Sequence, residues 1–510
     1  MSMFLRESKN AYQYTVKPQS IILGVVMKIY FSDFFDVSED SIESYGAFNP
    51  SLINDMPLFI DPFLLFNSEK KQYQDLHSDM IQYLAFLREV SKDDGINKGL
   101  LKSWFMFPEV KQNWFGYSTV GNGGSGLGAK FAKALNENLH TVFTNFGSEE
   151  ITTSSHLEKL CLIRDGVGRD NISDFTTNLI KSFLLEYTQE FAQKNINKDF
   201  RQVHLVEKVY FNYQTRTWVN KEFDLPTIDG DFVLLTPKDI LTKDETWINK
   251  GDMVANFNGI ANAIPNDQLR AQLNDYLARN LPVEPNKKDY DKAVVSTILK
   301  YPEYIDYFIK FKEDSGEEAK DISKLKVKET EVMFIERVKS LAEKLKETEF
   351  YENNPDTFDE TLQRINFMKQ VIENNDGYKI FYIKGQPVKR ESDLQLLFRL
   401  TWFASVSDVN AEVNNGRGPV DYKISRGNRD KTLVEFKLAS NSKLKQNLKN
   451  QVQVYEAANQ TKKSIKVILY FNDTELAKLI KVFKELALTE GDTLVTIDAR
   501  PNKDSASNVK

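Results

Sequence analysis

Cysteine is almost missing from this 510-residue chain. Cys161 stands alone, so no internal disulfide can form and a reducing compartment is implied. Histidine is scarce too: His77, His140, His156 and His204 are scattered without metal-ligand spacing. No apolar run is long enough to span a bilayer, which excludes a membrane partner of that kind. The brief run Ile21–Val26 is followed by no small-residue cleavage pattern, so a secretory signal is not expected and the chain is assigned to the cytoplasm. A more fold-like stretch opens at Met27, and residues 1–26 are expected to be a tail or an alternative start. What is present is ample core material: 41% hydrophobic and 12% aromatic residues, over a length that predicts two to four domains.

Net charge is small, and charge is uneven along the chain. The net charge of −6 argues against wholesale binding to nucleic acid. Between Lys379 and Lys466, however, 17 Lys and Arg face 8 Asp and Glu, a local balance of +9 that leaves −15 for the rest. A basic C-terminal block on an acidic protein is the footprint of a module that touches phosphates.

The patterning predicts an α/β chain, α+β overall. Residues 27–265 alternate short apolar runs with helical patterns and form a predicted N-terminal α+β recognition or regulatory domain. Its candidate strands are Lys208–Tyr213 and Asp231–Leu235, and a candidate helix runs from Asp174 to about Gln193. Residues 266–376 predict a helical spacer or lid, including a long amphipathic stretch from Ile322 to Thr348 and a helix opened by Pro355-Asp356-Thr357. Residues 377–500 predict a mixed sheet flanked by helices, in the order helix, strand, strand, helix, strand, helix, strand after an opening strand at Lys379–Ile383. The segment Ser392–Gln395 has the form of a capping box. Residues 501–510 are expected to be a disordered tail.

The chemistry concentrates in that last region. Gly418-Pro419-Val420-Asp421 opens one apolar strand. Glu435-Phe436-Lys437 lies on the next, after the polar hairpin Arg426–Asp430. Side chains two apart on a strand share a face, so Glu435 and Lys437 point one way while Val434, Phe436 and Leu438 enter a core. Two carboxylates and an ammonium on one sheet face suit magnesium-dependent phosphodiester cleavage: hard oxygens hold the ion and a cation sits beside the attacking water. A surface salt bridge across the hairpin is the bland alternative.

Asp421 and Glu435-Phe436-Lys437 on adjacent strands, followed by a basic helix, resemble the PD-(D/E)xK superfamily of restriction-endonuclease-like nucleases. The resemblance covers roughly residues 390–475. One residue, Val420, intervenes between the Pro and the Asp of the motif. The resemblance implies that Asp421 and Glu435 ligate Mg²⁺ (Mn²⁺ substituting), with the Phe436 carbonyl as a further ligand and Lys437 polarising the water. Gln451 and Tyr455, four apart on the next helix, are similar to the Q-x-x-x-Y element of RecB-like members, where amide and phenol steady the nucleic-acid strand. Glu412 is the candidate for the further upstream acid that many members carry. Arg417 and Lys423, beside the site, and Lys443, Lys445 and Lys449, along the helix, are candidate phosphate contacts. The implied activity is a DNA nuclease, DNA being favoured over RNA. An acidic, aromatic-rich front domain suggests a bacterial defence or restriction effector, working as a homodimer or with a neighbouring defence-system subunit. A catalytically inactive nucleic-acid sensor and an RNA-cleaving nuclease are the alternatives.

One further run stands outside this scheme. Gly121–Lys130 is glycine-rich and precedes a helix from Ala129, but lacks the Gly-Lys-Ser/Thr of a phosphate-binding loop of the Walker type. A flexible loop, an anion nest at a helix start and a moving gate are all compatible with it.

Overall fold

The computed structural model describes residues 28–501, apart from 54, 93–95, 117–126, 143–148, 164–167, 244, 337, 340–355, 375–377, 379–380, 384–385, 388–390, 403–406, 415–418, 427–429 and 450–462. The fold is α+β, as the patterning predicts. Among the described residues no helix is long and apolar enough to cross a membrane.

The N-terminal part is mainly helical around a β-ribbon. Helix α1 (Lys71–Val90) buries Tyr83, Leu84 and Leu87. Helices α2 (Arg169–Leu179) and α3 (Lys181–Asn195) replace the single helix expected from Asp174 to Gln193. The first of them starts five residues earlier than expected, at Arg169, preceded by Gly168, whose N–H bonds to Asn171 Oδ1. The earlier start takes in Ser173. It lies inside α2, where its hydroxyl accepts the Ile60 N–H at 3.0 Å. Strands β1 (Arg201–Asn212), β2 (Thr217–Ile228) and β3 (Asp231–Phe232) form an antiparallel sheet in that order. The segment predicted as a strand through Leu235 leaves the ladder after Phe232, because Val233 and Leu235 instead fill a core with Phe31, Phe35 and Phe191.

The helices α4 (Asp267–Asn280), α5 (Lys287–Lys300), α6 (Tyr304–Asp314) and α7 (Gly316–Glu331) bear out the helical character of the middle region. They do not stand apart as a spacer. Leu273, Val294, Phe308 and Ala319 share one core with Tyr83, Trp104 and Phe175 of the N-terminal part. Beyond α7 the chain widens into a π-helical turn, Val332–Glu336. Its Met333, Phe334 and Ile335 belong to another core that extends into the C-terminal sheet, and the Tyr30 hydroxyl donates to the Phe334 carbonyl.

Helix α8 (Thr357–Asn374) belongs with the C-terminal sheet rather than with the preceding helices. Asp356 caps it, accepting from the Phe358 and Asp359 N–H groups at 2.9 and 3.0 Å, and Asp430 at the sheet's hairpin accepts from Thr357 N at 2.9 Å. Next come α9 (Glu391–Leu400), β4 (Asp408–Asn414), β5 (Pro419–Arg426), β6 (Asp430–Leu438), β7 (Ser464–Tyr470), α10 (Asp473–Leu486) and β8 (Leu494–Asp498). The five strands lie in the order β8-β7-β6-β5-β4. The β4–β5–β6 portion is antiparallel and β6–β7–β8 parallel, a mixed sheet. Strand β4 is absent from the expected order. Its sequence, Asp-Val-Asn-Ala-Glu-Val-Asn, is poor in β-favouring residues and is held in place by pairing to β5. The opening strand predicted at Lys379–Ile383 is reduced, among the described residues, to a two-residue ladder of Tyr382–Ile383 with Gln386–Pro387.

Alternation along the strands sets the two faces. Tyr422, Ile424, Val434, Phe436, Val467 and Ile497 meet Ile365 and Met368 of α8 and Leu394 and Phe398 of α9. On the other face, Ile468, Tyr470 and Leu494 meet Leu444, Leu448, Leu479 and Val482. That second cover lies over β7 and β8. On β5 and β6 the same face carries Asp421, Lys423, Glu435 and Lys437.

Candidate active site

Antiparallel pairing decides which residues meet. Tyr422 is opposite Val434 and Lys423 opposite Leu433, so the next step along both strands sets Asp421 beside Glu435. Lys437 follows Glu435 on the same face. Its ammonium lies 3.6 Å from Asp421 Oδ2, 3.5 Å from Glu435 Oε1 and 2.7 Å from the Phe436 carbonyl. Asp421 Oδ2 in turn accepts the Phe436 N–H at 2.5 Å, which locks the two strands at the site.

A third carboxylate arrives from outside the sheet. Glu391, the first residue of α9, places Oε2 3.4 Å from the Lys437 ammonium, while its Oε1 accepts the Leu438 N–H and the Asn441 amide, each at 3.3 Å. One helical turn later Gln395 reaches Asp421 with its side chain, and its backbone carbonyl receives the Tyr422 hydroxyl at 2.9 Å. Glu391 and Gln395 were missed as site residues. They lie 30 and 26 positions before Asp421, and their one local signal, an acid and an amide four apart at a helix start, also describes an ordinary first turn. The helix begins at Glu391, so Ser392 falls inside the first turn instead of capping it.

Burial governs the electrostatics. Side-chain exposure is 10% at Glu435, 12% at Lys437 and 17% at Asp421. Burial pushes the Asp421 carboxyl above the usual range; Lys437 and the Phe436 N–H pull back, and Glu391 adds to the rise. Burial raises Glu435 likewise, against Lys437. At Lys437 burial favours the neutral amine, yet Asp421, Glu435 and Glu391 together outweigh it and hold the group above its ordinary value. The result is an ammonium enclosed by three acids, a buried set with an excess of negative charge.

The donor set suits a hard divalent cation in kind: two or three carboxylates and one backbone carbonyl. In the present arrangement these groups converge on the Lys437 ammonium. Among the described residues no three Asp, Glu, His or Cys side chains converge on a common point that could hold a metal ion. Binding one would require Lys437 to release the Phe436 carbonyl and the carboxylates to turn toward a shared point.

The remaining expected site residues are distributed as follows. Glu412 lies on β4 between Ala411 and Val413, which pair with Tyr422 and Val420, so its backbone runs alongside Asp421; its side chain is outside the described residues. Gln451, Tyr455 and Arg417 also fall outside them, as do Gly121–Gly126. Lys423 shares the Asp421 face and is half-buried. Lys443, Lys445 and Lys449 are exposed along the segment at 443–449, with Lys445 paired to Glu485 at 2.7 Å.

Comparison with known proteins adds boundaries but no activity. Two models of domains of unknown function match the chain, DUF8370 over residues 36–249 and DUF8371 over residues 357–473. The second begins at α8, the helix that packs on the sheet, and includes Glu391, Asp421, Glu435 and Lys437. No curated protein and no solved structure matches the chain.

Proposed function

We propose that this protein is a Mg²⁺-dependent nuclease of the PD-(D/E)xK type that hydrolyses phosphodiester bonds of DNA in the cytoplasm. Its C-terminal unit carries the chemistry and its N-terminal part recognises or regulates, the setting being bacterial defence. The observation that carries the reading is the meeting of Asp421, Glu435, Glu391 and Lys437 on a face of the mixed sheet whose helical cover, among the described residues, lies over β7 and β8.

Asp421 and Glu435, with the Phe436 carbonyl, would hold the ion. Bound there, Mg²⁺ supplies a Lewis acid for a phosphate oxygen and lowers the pKa of a water. Everything else falls to the chain. Asp421 is fixed in place by the Phe436 N–H and Gln395, so the ligand is oriented before substrate arrives. Lys437 stays protonated in this acidic surround and offers a positive charge where phosphoryl oxygens gather negative charge. Glu391 tethers Lys437 to α9 and restrains where its ammonium can point. The exposed Lys443 and Lys449 would follow the phosphate backbone. Because burial raises Asp421 and Glu435, their protonation competes with metal loading, and activity should fall as pH drops.

The test incubates the purified full chain with plasmid, linear duplex, single-stranded DNA and RNA, with Mg²⁺, with Mn²⁺ and with chelator. Cleavage of DNA that needs the metal supports the proposal. Metal-dependent cleavage of RNA alone would move the substrate class. Binding without cleavage under either metal would assign the chain to the sensors.

A further inference from the structure

The β1 edge of the N-terminal sheet has features of a self-association surface. β1 ends the strand order β1-β2-β3, and among the described residues nothing pairs with its outer side. Val203 and Leu205, two apart and so on one face, are 66% and 65% exposed. Tyr210 on the same strand, and Phe200 and Tyr213 just outside its two ends, are exposed as well. Free edges are ordinarily blunted by Lys, Pro or a bulge within the strand. From Gln202 to Val206 there is no charge and no proline. The bulge comes afterwards: the register with β2 shifts between Val206 and Tyr210, and Lys208 sits at φ 51°. A short, flat, uncharged segment is thereby left open and then closed off.

We propose that this edge pairs antiparallel with the same strand of a second copy of this chain, about a two-fold axis through His204. The sequence is self-complementary in that register. Val203 faces Leu205 of the second copy, and Arg201 at one end faces Glu207 at the other. Moving the axis to Val203 sets Arg201 against Leu205; moving it to Leu205 sets Val203 against Glu207. An axis between residues would match exposed positions with inward ones such as Val206, which is buried. Of these registers only the one about His204 sets exposed Val203 against exposed Leu205 and leaves neither facing a charged position. The Arg201 side chain is only 7% exposed and is bonded to Asp224 of its own ribbon, so it brings no free charge to the seam. The partner is thus a second copy, and the inference stands independently of the nuclease reading.

Native Cys161 is buried, so introduced thiols report cleanly. Full-length Val203→Cys and Leu205→Cys chains are mixed under mild oxidation. Directly opposed positions bridge, whereas diagonal neighbours about 7–8 Å apart do not. A disulfide dimer at least about tenfold more abundant in the mixture than in either chain alone is expected. Sedimentation should give twice the 58.8 kDa chain mass, reduced to one chain in Val203→Lys/Leu205→Lys, with unchanged circular dichroism showing that the variant folds. A wild-type monomer at about 10 µM, a range where specific dimers persist, would overturn the proposal, as would equal cross-linking in all three samples. A chain that dimerises only after residues 1–26 are removed would assign the edge to its own N-terminal segment and equally overturn it.

Discussion

Lys437→Met isolates the role of the central ammonium. Methionine keeps the length and much of the volume of lysine but removes the charge. The structure then leaves Asp421, Glu435 and Glu391 facing one another, with Asp421 and Glu435 almost enclosed. Breaking a buried ion pair by deleting one partner costs about 3–5 kcal/mol, an apparent Tm drop of roughly 6–20 °C for a unit of this size. The loss depends on pH in a defined direction. Burial already raises Asp421 and Glu435, and without Lys437 they rise further, so the folded variant binds protons more tightly than its unfolded chain. Its stability deficit should therefore be largest at pH 8 and shrink as pH falls toward 5. Mg²⁺ should also offset the deficit, raising the variant's Tm more than that of the wild type. Thermal unfolding followed by circular dichroism at pH 5, 6.5 and 8, with Mg²⁺ or chelator, reads all three. A variant that melts with the wild type at pH 8, or whose deficit grows on acidification, would refute the view of Lys437 as an internal counter-ion.

Further expectations are smaller in scope. Glu391→Gln should lower metal-dependent cleavage about 10–100-fold, as loss of a positioning partner commonly does, and a shift of the acid limb of the rate to lower pH, because Glu391 helps to raise Asp421, would separate it from simple unfolding. Asp61 is fully buried, and burial pushes it up to about 6, against the bonds from the Trp247 and Phe63 N–H groups. Its folded pKa is raised, so its stabilising contribution is complete below about pH 4 and is lost by about pH 6. The loss is roughly 3 kcal/mol; Asp61→Asn should flatten that slope in urea titrations, and an unchanged slope would contradict the assignment. Asp356→Ala removes the cap of α8 and should cost about 1 kcal/mol, a fall of roughly 2–4 °C in the melting of the C-terminal unit.

The centre of the candidate site was legible because strand periodicity is short. Asp421, Glu435 and Lys437 need only two adjacent strands and a hairpin to meet, and each strand announced itself through alternating Val, Ile, Phe and Leu. Glu391 and Gln395 were not legible, because a helix start meets a sheet face through tertiary packing that no local pattern encodes. The same limit hid β4, whose Asp, Asn and Ala residues adopt a strand through pairing with β5. It also misplaced α8. Its amphipathic pattern predicts a helix but does not say which core will bury Ile365 and Met368. The middle helices were recognised as helices and taken for a spacer, yet they fill the core of the N-terminal part.

The most direct measurement is the initial rate of cleavage of a 5′-labelled DNA duplex at saturating Mg²⁺, wild type against Asp421→Ala, with folding of both chains verified. The account predicts a ratio of about 10³ or more, in the range seen when a group that stabilises the transition state is lost. Equal rates in the two chains would contradict it.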